Sequence, residues 1–104
     1  MKNDVIREIY DALIAHHIVG NESEFSKDWL NRSECYLRTL RFKSAEPSIS
    51  TLAICASKLH YYGKRMMLTT TYKDLGVRFI ELSDQCHQQI NVNAELTWMG
   101  DKES

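Results

Sequence analysis

Residues 23–59 read SEFSKDWLNRSECYLRTLRFKSAEPSISTLAICASKL, and this stretch decides the fold. Its apolar residues recur at three- and four-residue spacing, the repeat of a helix with one buried face. Phe25, Trp29 and Leu30 form the inner side of a short helix expected over about Glu22 to Leu30. Asn21 opens it, with Glu24 three residues on, in capping-box order. Asn31-Arg32-Ser33 is a tight polar break, because Asn tolerates a left-handed backbone and Ser is a good N-cap. A third helix is expected from Ser33 to about Arg41, with Tyr36, Leu37 and Leu40 on its apolar side. Phe42 to Glu46 reads as a loop closed by Pro47. Ser48 then caps a fourth helix, about Ile49 to His60, with Ile49, Leu52, Ala53, Ala56 and Leu59 inside.

Working outward, Val5, Ile6, Ile9, Leu13 and Ile14 make an apolar stripe on a first helix from about Asp4 to Ile18, stopped by Gly20 and Asn21. Beyond the fourth helix, Gly63 interrupts the pattern and Thr69, Thr70 and Thr71 resist helix, so residues 61–72 read as either helix or loop. Thr71 is a candidate cap for a long final helix, with Asp74 three residues on. Leu75, Phe79, Leu82 and Cys86 repeat in a heptad-like seam that serves either as core or as a dimer interface. Residues after about Asn91 are expected to fray, with Leu96, Trp98 and Met99 available to dock on a neighbour. The expectation is an all-α fold: a compact bundle of four short helices plus a longer C-terminal helix. Residues 1–62 would form the bundle domain. Residues 63–104 would be an extension, packed on it or pairing two copies.

Composition agrees. With 104 residues there is room for one core, and 43% hydrophobic with 26% charged residues fits a globule. One proline and four glycines are too few for many short strands. No apolar run approaches a membrane span, and the acids near the N-terminus do not fit a secretory signal, so the cytoplasm is expected. Cys35, Cys55 and Cys86 make no CxxC pair and no disulfide framework, and they read as free thiols. No metal-ligand spacing, GxSxG elbow, catalytic carboxylate pair or glycine-rich phosphate loop is present. A non-enzyme with no cofactor, no metal and no small-molecule ligand is therefore expected.

Charge is patterned. Residues 26–65 carry Lys27, Arg32, Arg38, Arg41, Lys43, Lys58, Lys64 and Arg65 against Asp28, Glu34 and Glu46, while both flanking segments are acidic. A basic middle between acidic ends points to one anion-attracting face.

The order Ser33-x-x-Tyr36-Leu37-x-x-Leu40, then Pro47-Ser48-Ile49-x-Thr51-Leu52-x-x-x-Ala56-x-x-Leu59, resembles the λ-repressor-like (Cro/C1, XRE-type) helix-turn-helix domain. Phe25-Ser26 matches that family's aliphatic-then-small pair. The turn departs from the pattern: one extra residue lies between Ser26 and Ser33, Asn31 replaces the usual glycine, and Arg32 replaces an aliphatic residue. The resemblance implies a third helix lying in the DNA major groove. Arg32, Ser33, Glu34, Arg38 and Thr39 would face base edges, and Lys27, Tyr36, Arg41, Lys43 and Ser44 would hold phosphates. It implies a homodimeric transcriptional regulator of double-stranded DNA, paired through Leu75, Phe79, Leu82 and Cys86. The alternative is a protein–protein interaction module, an anti-activator or adaptor, on a degenerate helix-turn-helix scaffold.

Overall fold

The structure, a computed structural model, describes residues 4–103 and is all-α. Five helices follow in order: α1 (Asp4–Ala15), α2 (Glu22–Asp28), α3 (Tyr36–Lys43), α4 (Ile49–Met66) and α5 (Lys73–Glu103). The core is built where their apolar stripes meet. Ile6, Ile9 and Leu13 enter from α1, Phe25 from α2 with Trp29 and Leu30 just beyond it, Leu37 from α3, Leu52, Ala56 and Leu59 from α4, and Phe79, Leu82 and Cys86 from α5.

Local signals explain most helix ends. Glu24 N–H donates to Asn21 Oδ1 at 2.8 Å, and Thr51 N–H donates to Ser48 Oγ at 3.2 Å, so both expected N-caps form. Glu24 reaches back to the Gly20 N–H rather than to Asn21, at 2.8 Å. The α1 helix stops at Ala15, short of Ile18. His17 takes the left-handed conformation (φ 60°), and the Ile18 N–H closes on the Leu13 carbonyl at 2.8 Å. Ser44 (φ 53°) ends α3 in the same way, with Ala45 N–H on the Leu40 carbonyl at 2.9 Å.

Three expectations about α3 and α4 need correction. The α3 helix begins at Tyr36 rather than Ser33, and its N-cap, Cys35, makes no side-chain cap hydrogen bond. Ser33 instead opens a turn through its carbonyl, which accepts from the Tyr36 N–H at 3.1 Å. The α4 helix runs six residues past His60, to Met66, and Thr69 rather than Thr71 organises the turn that follows. Its hydroxyl donates to the Met66 carbonyl and accepts from the Tyr72 N–H. The α4 face is also rotated from the expected one. Thr51 and Cys55 are buried, while Ile49 and Ala53 are exposed. Thr51 tolerates burial because its hydroxyl pairs with Ser48 Oγ at 2.9 Å, and Cys55 packs as a small apolar side chain.

The α4–α5 contact holds the bundle together. The two helices approach so closely at Gly63 and Gly76 that a Cβ on Gly76 would lie 2.7 Å from the Gly63 carbonyl oxygen. Further along, Ser83 Oγ donates to the Ala56 carbonyl at 3.0 Å, and Cys55 faces Cys86. The seam Phe79-Leu82-Cys86 is therefore buried within the chain, with Leu75 half-buried beside it. The seam therefore serves the chain's own core. The division expected between residues 62 and 63 falls inside α4, and both segments build one core. The far end of α5 stays helical, and residues 95–100 are exposed on it.

Candidate nucleic-acid interface

The site implied by the resemblance is α2, the turn 29–35 and α3. Asn31 turns the chain in the left-handed conformation (φ 58°), and the Arg32 N–H closes on the Ser26 carbonyl at 2.9 Å. Leu37 is buried, and Tyr36 and Leu40 are half-buried, so this side of α3 lies against the bundle. The Tyr36 hydroxyl donates to Thr51 Oγ1 at 3.4 Å, which turns it toward the start of α4 and away from a phosphate outside. At about 100° per residue, Arg38, Thr39 and Phe42 take the opposite, outward side, with Lys43 and Arg41 on the two flanks. All five are exposed.

The structure therefore divides the sequence-predicted readers. Arg38 and Thr39 stand on α3, whereas Arg32, Ser33 and Glu34 stand in the turn before it, because the helix starts three residues late. Lys27, Arg41, Lys43 and Ser44 are all exposed.

Electrostatics divides them again. Arg41 meets Glu22 at 2.7 Å, and Lys27 meets Glu34 at 3.7 Å, so two cations have carboxylate partners within the chain. Arg32 lies over the Tyr36 ring, 4.8 Å from its centre, which fixes the guanidinium without neutralising it. Arg38 donates to Cys35 Sγ at 3.3 Å. Among the described residues, Arg38 and Lys43 have no carboxylate partner. The face is cationic, but less so than the sequence count implies. Exposed pairs of this kind contribute about 0–1 kcal/mol and exchange readily for phosphate.

Residues 6–99 match a family of unknown function (DUF6626). The chain belongs to that family. No curated protein and no solved structure matches it. No helix among the described residues is long and apolar enough to cross a membrane. No group of three metal-ligating side chains occurs among them either.

A second concavity escaped the sequence reading. An open groove of about 1010 Å³ lies where the ends of α1 and α2 meet the last turns of α4 and the start of α5. Its floor is aromatic. The Trp29 ring lies 6.0 Å from Phe79, edge-on, and 5.7 Å from Tyr62. Lys58 and Arg65 stand on its rim with His16 and Asp28, and the Lys58 ammonium donates to the Asp28 carbonyl that ends α2. The pair Tyr61-Tyr62 looks in sequence like an exposed pair at a helix end. The usable signal was Lys58, Tyr62 and Arg65 at i, i+4 and i+7, which share one face once α4 continues to Met66.

Proposed function

We propose that this chain is a DNA-binding protein, a small transcriptional regulator, that lays α3 in the major groove. The exposed sides of α3 carry this reading: Arg38 and Thr39 face outward and Lys43 stands on the flank, with no carboxylate set against either cation among the described residues. An eight-residue helix is about 12 Å long, comparable with the width of the groove it would enter. Arg38 reads guanine through two hydrogen bonds, and Thr39 adds a hydroxyl or methyl contact. Lys43, and Lys27 and Arg41 once they leave Glu34 and Glu22, hold phosphates. Arg32, Ser33 and Glu34 act from the turn. The chain works as a binding protein rather than an enzyme, in the cytoplasm, and reads paired half-sites as a homodimer.

The test is charge reversal. Arg38→Glu with Lys43→Glu abolishes retention of duplex DNA in a gel shift, while circular dichroism shows the fold intact. Retention that survives the double change defeats this reading.

One observation favours a second reading, a protein–protein module. Phe42 stands on the same outward side and is 90% exposed. Aromatic anchors of that kind dominate protein interfaces. Under the second reading, Phe42→Ser releases a stably bound protein and the double charge reversal does not. Under the first, Phe42→Ser leaves DNA retention in place.

A further inference from the structure

We infer that two copies of this chain pair by exchanging helix ends, the C-terminal part of α5 from one copy lying in the aromatic groove of the other. Val92, Leu96 and Met99 follow at i, i+4 and i+7, the anchor spacing of a helix seated in a groove. They are 46%, 69% and 45% exposed. At about 100° per residue, this stripe lies roughly a quarter-turn around α5 from Phe79, Leu82 and Cys86, and its exposure shows that the chain's own core does not use it.

Charge selects the occupant. The segment from Asn91 to Ser104 carries Glu95, Asp101 and Glu103 against Lys102. The groove presents Lys58, Arg65 and His16 against Asp28. An acidic apolar helix and a basic aromatic groove thus occur on one chain. At about 1010 Å³ and open along one side, the groove sits at the upper edge of the range of about 300–1,000 Å³ typical of small-molecule pockets, and suits a helical segment better.

Geometry excludes self-insertion. Leu75 lines the groove, and Leu96 lies 21 residues further along the same unbroken helix, about 32 Å away. A chain cannot bring its own α5 end back to its own groove, so the donor is a second copy. Reciprocal exchange makes two equal contacts and closes as a two-fold dimer. The pairing is independent of what α3 contacts.

Sedimentation velocity on the full chain without DNA, across micromolar concentrations, tests it. The wild type is expected to be a dimer. Leu96→Glu, at an exposed position, weakens association at least ten-fold with the helix content unchanged. Arg65→Glu weakens it as well, and adding Glu95→Lys restores it. A wild-type chain that stays monomeric overturns the inference. So does a dimer indifferent to Leu96→Glu, or an Arg65→Glu defect that Glu95→Lys does not repair.

Discussion

Cys55 and Cys86 show how a residue's setting overrides its chemistry. Both are fully buried and face one another across α4 and α5, while Cys35 is exposed at the start of α3. The hydrogen bond with Cys86, together with burial, holds the Cys55 thiol well above the usual thiol range, and Lys58 only partly offsets this. Thiolate is the reactive form, so Cys55 is chemically quiet in the folded chain. A thiol reagent should titrate one cysteine of three under native conditions and all three in denaturant. The same setting fixes a pH dependence. The folded chain keeps Cys55 protonated, whereas the unfolded chain ionises it near pH 8.5. Stability from this group is complete below that value and is lost as the pH rises above it. Denaturant melts from pH 7 to pH 10 should therefore fall more steeply for the wild type than for Cys55→Ala. Parallel profiles would show that the buried pair does not control the slope.

At the scale of elements, the α4–α5 crossing governs. Gly63 looks like a helix breaker in sequence, yet it lies inside α4, because Gly63 and Gly76 let two backbones meet without side chains between them. A glycine inside a helical pattern carries both meanings, and only the partner helix decides which applies. Gly76→Ala gains about 1 kcal/mol of helix propensity but drives a Cβ against backbone atoms at 2.7 and 2.9 Å. Overpacking of that kind costs about 1–3 kcal/mol, so thermal melts should show a net loss. Gly100→Ala meets nothing within 4 Å and should leave stability level or slightly raised. A Gly76→Ala variant as stable as the wild type would mean that the crossing can relax.

The same crossing explains what could be read in advance. The five helices, the Asn21 and Ser48 caps and the α1 stripe were legible, because caps and periodicity act within a few residues. The rotation of α4, its length past His60 and the intramolecular use of Phe79, Leu82 and Cys86 were not. Each depends on contacts between residues far apart in sequence. The late start of α3 belongs with them, since the resemblance placed Ser33 at a cap while the chain spends three more residues in the turn.

At the scale of the whole molecule, the bundle measures 52 × 25 × 21 Å. Its long axis is accounted for by α5, whose 31 residues span about 46 Å. The cationic side of α3, the basic groove and the acidic end of α5 are all carried on this one frame. Of the expected site, the basic segment and the exposure of its cations were legible in sequence. The ion pairs Arg41–Glu22 and Lys27–Glu34 were not, because Glu22 lies 19 residues from Arg41 and the fold alone brings them together. Those pairs leave the face with a moderate positive charge.

Fluorescence anisotropy of a labelled random-sequence duplex, titrated with the full chain over a series of salt concentrations, tests the role of α3 most directly. Three phosphate contacts, from Lys27, Arg41 and Lys43, predict that log K falls with log salt at a slope of roughly −3 per chain, reduced by about one unit in Lys43→Ala. Absence of binding at low salt, or binding with no dependence on salt, contradicts a DNA-binding role for α3.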